Sequence, residues 1–334
     1  MLSDLRRILR VMTIPPIRGP LTRALDDPRS PVRLFLEKRF PNLGDIQRRY
    51  RENAPALAVP DNEANPGTVG TACDWLLRYL VHPQPDVHLA LMGGAFIDQP
   101  GPGLAVAMFE MCETLGIPTG GTMPPAKASA PTFTGPIAGS TIEAELLARG
   151  CWALALLTEF YRAGPIAAAS GPLGHLDADA RPDLLALASP AAIDQLTQLR
   201  RVFEEALLPR LATRHGTWAL GPTFTGSALL NADADLIAAG LLLEVKTSQG
   251  PKRPDGTRRA ALTKLDLLQL IGYALLDFDD DYQITELGIF VARYAYLATW
   301  PLAALLSEMA GQQVNLPATR DAFRQLLQTG RPGT

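Results

Sequence analysis

The segment Asp233-Ala-Asp235-Leu-Ile-Ala-Ala-Gly240-Leu-Leu-Leu-Glu244-Val-Lys246-Thr-Ser constrains the fold more than any other stretch of the chain. Two mostly apolar runs, Ala234 to Ile237 and Leu241 to Val245, flank an Ala-Ala-Gly connection, which reads as a β-hairpin. Side chains alternate along a strand, so Glu244 and Lys246 share one face while Leu243 and Val245 point to the other. Asp235, or its same-face neighbour Asp233, can then stand across from Glu244. Two carboxylates and a lysine on an otherwise apolar hairpin are costly unless a ligand uses them. A divalent cation is the natural ligand, because hard cations prefer carboxylate oxygens. The plain structural alternative is a buried ion pair between Lys246 and Glu244 or Asp235.

A second signal follows about twenty residues on. In Lys264-Leu-Asp-Leu-Leu-Gln269-Leu-Ile-Gly-Tyr273-Ala-Leu-Leu-Asp277 the large apolar residues at 265, 268, 271 and 275 keep a helical period. Gln269 and Tyr273 lie four apart and so stack on one face of that helix. The order Asp, then Glu-x-Lys, then a helix carrying Gln-Leu-x-x-Tyr is similar to the PD-(D/E)XK nuclease superfamily. It most resembles the branch that contains the RecB nuclease domain and lambda exonuclease. The clear resemblance covers Trp218 to about Leu297, roughly a quarter of the chain. Glu-x-Lys alone would be weak; the hairpin, the upstream Asp and Gln-Leu-x-x-Tyr together make the signal specific.

The resemblance extends weakly upstream. Pro66 to Leu80 reads as the opening of a helix, and Gly70-Thr-Ala-Cys-Asp74 is similar to the Gly-Thr-x-x-His or Gly-x-x-x-Glu start of the first core helix in RecB-like nucleases. There a His or Glu reaches toward the metals. The matching position here is Asp74, a departure that leaves it either a further ligand or a simple helix residue.

The implied architecture is α/β: a restriction-endonuclease-like αβββαβ core with a large helical insertion and a helical N-terminal segment. Residues 1–65 form the basic helical segment, broken by prolines, and residues 66–334 the nuclease-like domain. Within it the first core helix spans about 69–81, an all-helical insertion about 95–214, the catalytic core 215–300, and C-terminal helices 301–330. Expected strands are Thr217–Phe224, Leu229–Ile237, Leu241–Thr247, Ile284–Arg293 and Tyr294–Thr299.

Composition limits the partners. The chain has 334 residues, 47% hydrophobic and 19% charged, with a net charge of −3, so there is no global case for nucleic-acid binding. The charge is unevenly spread: residues 1–51 hold twelve Lys or Arg against five Asp or Glu. Such an excess can contact phosphates or simply solvate helix faces. Cys73, Cys112 and Cys151 are dispersed, which points to a reducing compartment, and without a fourth cysteine no iron–sulfur cluster is expected. The histidines His82, His88, His175 and His215 show no metal-ligand spacing. There is neither a secretory signal nor a run of eighteen apolar residues, so the expectation is a cytoplasmic protein without a membrane partner.

The resemblance implies phosphodiester hydrolysis assisted by one or two Mg²⁺ or Mn²⁺ ions, with DNA the expected substrate and phage defence or repair as settings. Asp235 and Glu244 would be the ligands, joined by the Val245 carbonyl and, as further candidates, Asp74 and Asp233. Lys246 would orient or help deprotonate the attacking water, or steady developing charge. Gln269 would hold that water or Lys246, and Tyr273 would hydrogen-bond a phosphate. Between Lys246 and the helix, Lys252, Arg253, Arg258, Arg259 and Lys264 read as a basic loop able to contact phosphates. No P-loop is present, so any ATPase or targeting function belongs to a protein partner. The reading from a different class is a catalytically inactive nuclease-fold subunit that binds nucleic acid or scaffolds a complex.

Overall fold

The computed structural model describes residues 19–95, 102–117, 131–135, 138–168, 173 and 181–330. Three short helices come first: α1 (Leu21–Asp26), α2 (Pro31–Arg39) and α3 (Gly44–Asn53). Next is α4 (Pro66–Val81), which starts at a proline and is capped by Asn65, whose side chain accepts from the Gly67 and Thr68 amides. Then follow α5 (His88–Ala95), α6 (Pro102–Thr114), β1 (Thr132–Gly135), the long α7 (Ala144–Ala168), α8 (Pro190–Val202) and the single turn α9 (Leu208–Leu211). A π-helical turn, Phe203–Leu207, joins α8 to α9. The strand-rich part is β2 (Gly216–Leu220), β3 (Leu236–Ala238), β4 (Leu241–Lys246), α10 (Lys264–Leu276), β5 (Glu286–Val291) and β6 (Tyr296–Pro301). Two helices close the chain, α11 (Leu302–Ala310) and α12 (Leu316–Thr329).

The strands form one mixed sheet in the order β1-β2-β3-β4-β5-β6. All neighbours are antiparallel except β4 and β5, which run parallel from Leu241↔Glu286 to Lys246↔Val291. A parallel pair needs a crossover, and α10 supplies it. The β3–β4 hairpin pairs Leu236 with Leu243 and Ala238 with Leu241. That leaves Ala239-Gly240 as a two-residue turn, with both residues at positive φ (49° and 82°). Such a turn matches the twist of the flanking strands, and Gly240 takes the left-handed conformation without a Cβ penalty.

Alternation along β4 divides the core. Leu241 and Leu243 join Trp218, Phe290 and the buried faces of α4, α7 and α8. Leu242 joins Ile237, Ile289 and the helices α10 and α12 on the other side. The result is a sheet between two helical layers, the arrangement that buries both faces of a mixed sheet. Helices α1–α3 belong to the α10 layer: Leu21, Phe35 and Ile46 share its apolar cluster with Leu267, Ile271 and Phe323.

Two expectations are corrected. The insertion is not all-helical, because Thr132–Gly135 pairs with Gly216–Ala219 and forms the sheet edge. The strand expected over Leu229–Ile237 is only Leu236–Ala238; the preceding stretch makes isolated bridges, Pro20↔Asn231 and Thr223↔Asp233. Those bridges bend the chain, so Asp233 and Asp235 lie where β3 leaves the sheet.

Candidate active site

Glu244 and Lys246 share the α10 face of β4. Lys246 Nζ lies 2.9 Å from Glu244 Oε1 and 2.9 Å from Gln269 Oε1. Gln269 Nε2 donates to Glu244 Oε1 at 3.0 Å and to the Tyr273 hydroxyl at 2.7 Å. Helix α10 is aimed by its capping box, in which the Thr263 hydroxyl accepts from the Asp266 amide while Asp266 accepts from the Thr263 amide. Asp266 also stands 3.9 Å from Lys246 Nζ. Phe224 stacks on the Tyr273 ring with centroids 5.7 Å apart and fixes its plane.

Asp235 comes from the other strand. Continuing the hairpin register by one step sets it opposite Glu244. Its Oδ2 accepts the Val245 amide at 2.6 Å. A strand residue sends its N–H and C=O to the same neighbour, so the Val245 carbonyl also faces the Asp235 side. Glu244 is only 6% exposed, and its Oε2 is buried with no hydrogen-bond partner. A buried carboxylate oxygen left unpaired is expensive, and a cation relieves it.

The electrostatics agree with the geometry. Burial pushes the Asp235 carboxyl well above the usual range, and the charges of Glu244 and Asp74 add to that. Burial also raises Glu244, against the opposing pull of Lys246. Burial works to lower the Lys246 ammonium, but Glu244 and Asp266 outweigh it and leave the value raised. Tyr273 is driven well up, by burial first and then by Glu244, so its hydroxyl stays protonated and able to donate. Two carboxyls held near each other against their ionisation form a site that gains from added positive charge.

Asp235, Glu244, Gln269 and Tyr273 line a pocket of about 910 Å³, and Lys246 lies behind Glu244 rather than on its wall. Gly70, Thr71 and Asp74 of α4 form one wall, Phe160 and Arg162 of α7 another, and Pro20 with Asn231 the rim. Asp74 is on this wall, yet both its oxygens accept from Arg78, at 3.1 and 2.8 Å. Asp233 also lines the pocket, and its Oδ2 lies 2.9 Å from Arg162 Nη2. Among the described residues no three His, Cys, Asp or Glu side chains close on one point as a ready-made cage. Two carboxylates do suit an ion such as Mg²⁺, which keeps several waters and takes one or two carboxylates besides substrate oxygens.

The basic loop divides. Lys252, Arg253 and Arg259 are exposed, whereas Arg258 is half-buried and donates to the Gly250 carbonyl at 2.7 Å. Lys264 forms an ion pair with Glu37 at 2.7 Å, which ties the start of α10 to α2. Of the N-terminal basic residues, Arg6, Arg7, Arg10 and Arg18 lie outside the described residues. Arg33, Arg48 and Arg49 are paired with Glu37, Asp45 and Glu308.

Sequence reasoning missed four residues. Arg162 falls at the end of an expected helix with nothing local to aim it. Pro20 and Asn231 meet through a bridge between segments far apart in the chain. Arg293 is 1% exposed and donates to the Thr247 carbonyl, the Val59 carbonyl and Gln195 Oε1, pinning the backbone directly after Lys246. A lone arginine within a run of strand residues gave no sign of this. No family model matches the chain, and comparison with curated proteins and with solved structures finds no match either.

Proposed function

We propose that this chain is a Mg²⁺- or Mn²⁺-dependent nuclease with a restriction-endonuclease-like core, hydrolysing phosphodiester bonds of DNA. The element order α4, β2, β3, β4, α10, β5 supports the core assignment. The carrying observation is the unpartnered Glu244 Oε2 beside Asp235, on a strand that also presents Lys246. Asp235, Glu244 and the Val245 carbonyl would hold the cation. When bound, it supplies Lewis acidity toward the scissile phosphate and the attacking water. Lys246 would position that water and stabilise developing negative charge. Gln269 keeps Lys246 in place through its Oε1, and Tyr273 keeps Gln269 in place. The exposed Lys252, Arg253 and Arg259 would add phosphate contacts that carry no sequence information.

One observation favours the non-catalytic alternative. Asp74, where the RecB-like motif has a His or Glu, spends both oxygens on Arg78. A scaffold needs no metal, whereas the nuclease reading requires metal-dependent cleavage. The test is incubation with linear and circular DNA, single- and double-stranded, in Mg²⁺, Mn²⁺ or EDTA. Cleavage in either metal, absent in EDTA and abolished by Lys246→Ala, supports the nuclease. DNA binding without cleavage by a folded wild-type protein supports the scaffold.

A further inference from the structure

The proposed site has an imbalance of charge. Four carboxylates, Asp74, Asp233, Asp235 and Glu244, line the pocket, while among the described residues Arg162 is the one Lys or Arg on its wall. Arg78 neutralises Asp74 and Lys246 pairs with Glu244, which leaves Arg162 paired with Asp233 on the pocket wall. The two belong to different layers of the structure: Arg162 to α7 of the helical insertion, Asp233 to the bent segment before β3. Their ion pair therefore joins α7 to that segment beside the pocket.

This ion pair is built to break. Both side chains are roughly half-exposed, 48% for Arg162 and 38% for Asp233, so water and salt screen their attraction. A phosphodiester is a better partner for a guanidinium than a solvated aspartate, because the planar fork can meet two phosphate oxygens at once. A strand moving toward Asp235 and Glu244 passes this pair and brings negative charge toward four carboxylates. Besides the cation proposed at Asp235 and Glu244, Arg162 is the basic side chain on the pocket wall placed to meet it.

We propose that Arg162 is the phosphate-binding side chain of this pocket, held by Asp233 and released to the backbone phosphate of an entering nucleic-acid strand. The inference rests on the nuclease reading and assigns the helical insertion a role: α7 carries the residue that receives the substrate. Asp233 is then a gate partner rather than a metal ligand.

The proposal requires opposite effects from its two partners. Binding of a labelled single-stranded DNA of about 20 nucleotides, longer than a typical single-strand site, is measured by anisotropy in EDTA for the whole chain. Arg162→Ala should weaken binding about tenfold, the worth of one charged phosphate interaction. It should also lower the slope of log K against log salt by about 0.7. Asp233→Asn frees the arginine and should tighten binding. Thermal melts confirm that both variants fold, which their exposure favours. A merely structural pair would give weakening in both or no change in either, and either result overturns the proposal. An effect of Asp233→Asn seen with Ca²⁺ but not in EDTA would make Asp233 a metal ligand and overturn it too. Opposite shifts in a protein that never cleaves would uphold the gate while the nuclease reading fails.

Discussion

Lys246 Nζ and Gln269 Nε2 converge on one oxygen of Glu244, at 2.9 and 3.0 Å, and leave the other, Oε2, buried without a partner. The carboxylate is thus half satisfied by the protein and half reserved. A cation bound at Oε2 would share Glu244 with the Lys246 ammonium, and the two like charges would repel each other.

Removing the lysine should separate the two roles. Lys246→Met ought to lower cleavage by at least about a hundredfold, since electrostatic stabilisation of this kind is commonly worth that much. Mn²⁺ affinity should hold or rise, because Glu244 loses a competing positive charge. Cleavage rates and metal titration on the same preparation check both halves.

The raised carboxyls make stability depend on pH in a specific sense. A carboxyl whose pKa is higher folded than unfolded binds protons more readily in the folded chain. For Asp235 and Glu244, stability is therefore greatest below about pH 4, the unfolded carboxylate range, and falls as pH rises through their raised values. Asp235→Asn keeps an acceptor for the Val245 amide but removes the charge. It should stabilise the metal-free protein at neutral pH by on the order of 1 kcal/mol, with the gain vanishing in acid. Urea melts across pH with EDTA present measure this.

Arg293 should matter to folding before it matters to chemistry. Arg293→Ala removes the donor to the Thr247 and Val59 carbonyls, leaves Gln195 Oε1 with the Asn62 amide as its partner, and frees Asp61. A cost of about 3 kcal/mol or more is expected from losing one partner of a buried charged network. Denaturant unfolding gives the number. A change below about 0.5 kcal/mol would show that the network is not holding the end of β4.

The basic loop can be tested apart from the metal site. Neutralising Lys252, Arg253 and Arg259 should lower the salt slope of DNA binding by about 0.7 to 0.9 for each phosphate no longer neutralised by the protein. Cleavage at saturating DNA should change far less, the weakening appearing in KM. Lys264→Ala should instead act through stability, because its ammonium is committed to Glu37.

The hairpin was legible because its information is local. Alternation set Glu244 and Lys246 on one face, and Ala238-Ala239-Gly240 marked the connection, which the structure shortens to the Ala239-Gly240 turn because Ala238 pairs with Leu241. The helical period brought Gln269 and Tyr273 together, and the four-residue spacing is now a 2.7 Å hydrogen bond. Edge strand β1 was not legible: Thr-Phe-Thr-Gly is too short to show a period, and its pairing with β2 crosses more than eighty residues of chain. Bending before β3 was hidden for the same reason, since Pro20 fixes Asn231 from a distant segment. Arg162 could be assigned to a helix but not to a pocket, because its partner Asp233 is chosen by packing of α7 against the sheet.

The central claim is that Asp235 and Glu244 form a divalent cation site, and calorimetric titration with Mn²⁺ tests it most directly. Wild-type protein should give saturable heat that grows weaker as pH falls into the range where the raised carboxyls protonate. Glu244→Ala, folded by circular dichroism, should give none. Absence of binding heat in the wild type, or equal heat in the Glu244→Ala protein, would contradict the account.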